Sequence, residues 1–160
     1  MKAAYSAMNL SLALLAAAAF ARADETGKIH GTASGTATGV PTADPVVFAT
    51  TIVGTGSVSK LGRATMTASH LIDSNTLAFS NGSVVFAGRK DSITGTYSGQ
   101  FFVTTQPGIF TFSAPMLITG GTGRFAGISG SGLITGKVNS NVYPERFTAR
   151  FRARLVTKER

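Results

Sequence analysis

Cysteine is absent from this 160-residue chain. That excludes a disulfide scaffold, a lipid-anchored lipoprotein and a thiol nucleophile. Histidine is nearly absent: His30 and His70 are the only two, forty positions apart, and no metal constellation can be assembled from the sequence. Acidic residues number seven against 15 Lys and Arg, so some arginines have no acid to pair with. No serine-hydrolase elbow occurs. No segment keeps a helical apolar period for any length. The apolar run Leu10–Ala19 is too short for a comfortable membrane span.

What is present begins with a leader-like stretch. Lys2 gives a positive start, Leu10–Ala19 is rich in Ala and Leu, and Ala21-Arg22-Ala23 fits the small-x-small cleavage rule. The sequence predicts a signal peptide over 1–23, cleaved after Ala23, and a periplasmic or secreted mature protein. Of the 15 basic residues, removal of Lys2 and Arg22 leaves 13, still well above the seven acidic ones. Such a surface favours anionic partners.

Beyond the leader, short β-branched and aromatic runs alternate with Gly, Asn, Asp and Pro, which predicts an all-β sandwich or barrel. Strands are expected near 28–38, 46–55, 63–71, 82–88, 92–104, 108–112, 115–119, 128–138 and 146–157. Gly31–Gly39 is small and polar, and Pro41, Asp44 and Pro45 follow it. Residues 24–45 are therefore expected as an N-terminal arm or edge strand, with the barrel domain over 46–160. Two strands alternate clearly. In Ser92–Thr104, Ile93, Gly95, Tyr97, Gly99, Phe101 and Val103 share a face. In the last strand Phe147, Ala149, Phe151, Ala153 and Leu155 oppose Arg150, Arg152 and Arg154. A one-residue slip there would bury guanidinium groups, so the register is fixed, and the strand is expected to pair with an early one and close the sheet.

The stretch Ile118–Val138 anchors this architecture. A tight turn at Gly120, Gly121 and Gly123 carries Arg124 and Phe125, and the following strand repeats glycine at 130, 132 and 136. Repeated strand glycines mark sharp bending or close backbone approach, as in a small closed barrel. Ile-Thr-Gly-Gly-Thr-Gly-Arg-Phe-Ala-Gly resembles the turn shared by plant allene oxide cyclases and dirigent proteins, and most of all their bacterial secreted allene oxide cyclase-like relatives. Gly54–Arg63 resembles the latter too, with weaker agreement over most of Val46–Leu155. The resemblance implies a single antiparallel β-barrel of about eight strands, self-association of unfixed stoichiometry, and a lumen that shapes a reactive hydrophobic molecule. The turn itself carries no catalytic group.

Candidate residues follow. Phe48, Tyr97, Phe101, Phe110 and Phe112 are expected to line a lumen for a small hydrophobic ligand. Tyr97, Arg63 and His70 are the weak catalytic candidates should the barrel be a cofactor-independent isomerase or cyclase. A third reading is a structural or surface-interaction barrel whose lumen is filled. His70 and Asp73 are three apart, on opposite faces if extended, and Asp73 reads first as a turn-former. The glycine turn lacks the Gly-Lys-Ser/Thr end of a phosphate loop. Arg150, Arg152 and Arg154 form an outer row open to an anionic surface, yet without stacking aromatics on their face, so no specific nucleic acid is expected. The same row breaks the apolar band an outer-membrane barrel needs. Neither a metal nor a cofactor is expected.

Overall fold

The fold is that of a computed structural model describing residues 26–157. The expected signal peptide and its cleavage after Ala23 lie outside the described residues. Eight strands follow in order: β1 (Thr26–Pro41), β2 (Val47–Val58), β3 (Gly62–Asp73), β4 (Ala78–Ala87), β5 (Ser92–Val103), β6 (Ile109–Thr122), β7 (Ile128–Asn139) and β8 (Glu145–Thr157), with one 3-10 turn at Gly123–Phe125. Each pairs antiparallel with its sequence neighbours, and β8 returns to β1, so the sheet is a closed barrel. Closure leaves no edge strand exposed.

Three details differ from the sequence expectation. The barrel has the eight strands expected of it, but the nine runs read along the chain reduce to eight because 108–112 and 115–119 are one strand, β6, running through Pro115. Proline removes a ladder donor, and the ladder to β5 is interrupted at Ala114 and Pro115, between the Tyr97–Met116 and Gln100–Ser113 pairs. The ladder to β7 continues through Pro115–Leu133. The segment expected as an arm or edge strand is a wall strand: β1 pairs with β2 on one side and with β8 on the other. Val103, grouped with the inward residues of β5, ends the strand exposed.

Alternation decides what fills the barrel. Along β8, Phe147, Ala149, Phe151, Ala153 and Leu155 are buried while Thr148, Arg150, Arg152 and Arg154 are exposed. The inward glycines answer to close neighbours. A Cβ at Gly136 would lie 2.6 Å from the Phe112 ring, and one at Gly54 would lie 2.9 Å from Phe147. The two ends of the barrel differ. One is closed by the glycine turn: Phe125 and Leu61 are buried there. Arg124 ties three loops, its Nε 2.7 Å from Asp91 Oδ2 and its terminal nitrogen donating to the Lys60 carbonyl at 2.9 Å. Gly123, at φ +60°, allows the chain to turn against Asp91. The other end carries the loops after β1, β3, β5 and β7 and opens onto the lumen.

Candidate functional site

The half of the lumen next to the closed turn is packed solid by Ile29, Val58, Phe86, Ile93, Met116 and Phe151. Towards the open end the wall positions Ala37, Ala114 and Ala149 are small. Between them remains a cavity of about 50 Å³, lined by aromatic and aliphatic groups together with Thr50, His70, Tyr97 and Glu145.

His70 reaches this cavity because β3 alternates: Ala64, Met66, Ala68 and His70 all point inward. A bulge fixes its aim. Ser69 pairs with Ser83 and Leu71 with Ser80, so two residues, Asn81 and Gly82, oppose the single His70. Asn81 adopts φ +53° to make the bulge, a conformation asparagine tolerates better than most residues. Bulges re-aim side chains in this way. Gly82 then seats the partner, since a Cβ there would come 2.7 Å from the Tyr97 ring.

The imidazole is held on several sides. Its Nδ1 lies 2.9 Å from the Tyr97 hydroxyl. Phe79 stacks on it at 4.9 Å between centroids, and Phe101 meets it edge-on at 6.3 Å. Burial lowers its pKa from 6.5 to about 4, so the ring is neutral near pH 7. Burial likewise raises the Tyr97 pKa, keeping the phenol protonated. That phenol has one proton and two acceptors in reach, His70 Nδ1 and the Ser69 carbonyl at 3.3 Å. Whichever it serves sets the imidazole tautomer, and so decides whether Nε2 accepts or donates.

Two polar atoms in this site have no partner among the described residues: His70 Nε2 and Thr50 Oγ1. Both side chains are well buried, at 6% and 4% exposure. They are cross-strand neighbours, since Thr50 pairs directly with His70 between β2 and β3. A buried polar group without a partner costs roughly 1–3 kcal/mol, so two side by side in an apolar wall need an explanation. Glu145 stands half-buried at the lip, where burial raises its pKa.

The residues expected from sequence are placed as follows. Tyr97 and His70 meet. Tyr97, Phe101 and Phe112 line the cavity, while Phe110 sits one layer outward, 6.5 Å from the Phe101 ring. Phe48, opposite Ile72, stands half-buried near the rim. Arg63 is exposed beside the closed end, one residue from the start of β3, and does not join them. Asp73 accepts from the Asn75 and Thr76 backbone nitrogens as a turn-former. Thr50 and Glu145 join the lining without having been expected there. No sequence signal marks Thr50, one of many threonines, but Asn81-Gly82 inside a strand pattern was a legible bulge signal. No family model, no curated protein and no solved structure matches the chain.

Proposed function

We propose that the barrel binds a small, mostly apolar molecule bearing one hydrogen-bonding group, with that group on His70 Nε2 and Thr50 Oγ1 and its apolar part against Phe79, Phe101 and Phe112. The observation that carries this reading is the pair of buried, unpartnered polar atoms on neighbouring residues that line a largely apolar cavity. A site of this composition, apolar with few convergent polar groups, is the common form of a small-molecule pocket. About 50 Å³ accommodates only a few heavy atoms, so a longer tail would extend past Glu145 through the mouth. The leader-like composition of residues 1–23 supports export, and the turn at 118–127 supports kinship with the allene oxide cyclase-like barrels.

A second reading is a cofactor-independent isomerase. The Tyr97–His70 hydrogen bond favours it, because it orients a neutral imidazole towards the cavity, and in the tautomer with the proton on Nδ1 its Nε2 would accept a proton with the Thr50 hydroxyl beside it as a donor. The same burial argues against it. A base whose conjugate acid has a pKa of about 4 takes protons poorly at neutral pH, so binding is the better-supported role.

The test is uptake of short-chain alcohols, ketones and phenols, read by thermal stabilisation and native mass spectrometry. The wild-type barrel should bind at least one class. Thr50→Val, which keeps the shape and removes the hydroxyl, should weaken that binding about tenfold while raising stability by about 1 kcal/mol, because an unsatisfied group is gone. No uptake of any probe, or equal uptake by the variant, would reject the proposal.

A further inference from the structure

The outer wall over β2, β1, β8, β7 and β6 is not smooth. Two overlapping depressions of about 730 and 580 Å³ share Thr32, Thr135 and Arg150 and merge into one trough. Its composition follows from strand register. One row across the strands reads Ser57, Thr32, Arg150, Thr135; the next reads Thr55, Ser34, Thr148, Lys137. A third sets His30 opposite Arg152. Short hydroxyl side chains therefore alternate with long cationic ones across the trough, with Leu133 among them. Among the described residues no carboxylate pairs with those cations. The five strands carry a single acid, Glu145, and it lines the lumen. Near the edge of the trough Lys28 faces Arg154 directly across the β1–β8 ladder, and like charges in that position destabilise a sheet. An anion laid along the wall would relieve that repulsion.

We infer that this trough is a second binding site, separate from the lumen, for an acidic polysaccharide chain. Five strands at a spacing of ~4.8 Å give a width of roughly 20 Å, which suits an oligomer better than a single ion. Arginine forks match carboxylate and sulfate oxygens in pairs. Serine and threonine hydroxyls both donate and accept, as the hydroxyls of a sugar chain require. A single-stranded nucleic acid would want stacking aromatics, and none of the exposed large apolar side chains on these strands is aromatic: they are Val40, Val53, Leu117 and Leu133. A flat lipid surface would leave the concave floor untouched.

The experiment is retention of the full chain on immobilised heparin and on immobilised polygalacturonate, with dextran as the neutral control and single-stranded DNA as the phosphate control. The wild type should bind the acidic glycans and ignore dextran, with affinity falling as salt rises. Arg150→Gln/Arg152→Gln should lose about tenfold or more, the loss expected when two charge-assisted hydrogen bonds go. Arg89→Gln/Lys90→Gln, with the same change in charge in the exposed β4–β5 loop outside the trough, should elute as the wild type. Thr135→Val/Thr148→Val should also weaken glycan binding, with no change in charge. Equal losses in the two charge-removing variants would overturn the site in favour of diffuse attraction. Tighter binding to DNA than to either glycan, or no retention at all, would overturn the glycan.

Discussion

His70 is neutral because of where it sits, and that has a consequence for stability. The unfolded chain protonates the ring below pH 6.5, whereas the buried ring resists protonation until about pH 4. Its neutral form is thus what the folded state prefers. The stability it permits is complete above pH 6.5 and is lost as pH falls through that interval, by about 3 kcal/mol in all at ~1.36 kcal/mol per unit. The groups facing the ring are Thr50 and Tyr97, both uncharged here, and Glu145 at the lip. Burial raises the Glu145 pKa, so its protonation adds stability on acidification and acts in the opposite sense. Asp91 is depressed by its bonds to Arg124 and gives up its contribution only at lower pH. His70→Phe keeps the ring and removes the proton site. The gap between the denaturation free energies of wild type and variant should therefore widen by about 3 kcal/mol in favour of the variant from pH 6.5 to 4. A gap independent of pH would show that the imidazole is already charged or solvated in the folded state. Of this site the sequence displayed the two residues with distinctive side chains, His70 and Tyr97. It hid Thr50, whose role arises only from register across β2 and β3.

Strands carry the next level of meaning, and glycine is their sharpest marker. Gly130, Gly132 and Gly136 alternate along β7, and their spacing alone indicates a crowded, strongly bent wall. The structure supplies the crowding atoms. At Gly136 a Cβ would meet the Phe112 ring at 2.6 Å and press on the Thr148 carbonyl oxygen across the ladder, whereas at Gly120 the nearest atom, Thr94 Oγ1, is 3.5 Å away. Gly136→Ala should accordingly cost ~1–3 kcal/mol, the range for overpacking a filled interior. Gly120→Ala should stay within ~0.5 kcal/mol, as surface changes do. Urea denaturation of the two variants distinguishes the cases, and equal effects would mean that β7 yields to make room. Alternation in β5 and β8 was legible for the same reason that these strands are stable: one face is apolar and the other is not. Pro115 misled because proline normally ends a strand. Here β6 survives it by keeping its ladder to β7 on one side and losing only part of the ladder to β5.

At the scale of the molecule, β1 decides whether there is a barrel at all. Its composition, glycine and threonine with little apolar weight, reads as an arm, because intrinsic strand preference there is poor. Strand preference is largely a matter of what a residue packs against, and β1 is flanked on both sides. It meets β8 over the register from Thr26–Val156 to Ala37–Glu145 and β2 from Gly31–Val58 to Pro41–Phe48. Its glycines serve those neighbours: a Cβ at Gly31 would run into the Phe151 ring. Without β1, β2 and β8 would each present an unpaired edge beside the exposed core aromatics Phe147 and Phe151, a template for aggregation. Covalent continuity between β3 and β4, by contrast, matters less than their pairing, because Thr26 and Val156 stand opposite each other and offer a place to rejoin the chain. A circular permutant that joins Thr157 to Thr26 by a short glycine–serine linker and opens the exposed Ser74–Asn75 turn should thus form the same barrel. It should unfold cooperatively, with a strand-rich circular dichroism spectrum like that of the parent. Deletion of residues 26–41 should abolish cooperative unfolding and leave aggregates. A deletion variant that stays monomeric and unfolds like the parent would show that seven strands suffice and that the β8–β1 ladder is dispensable.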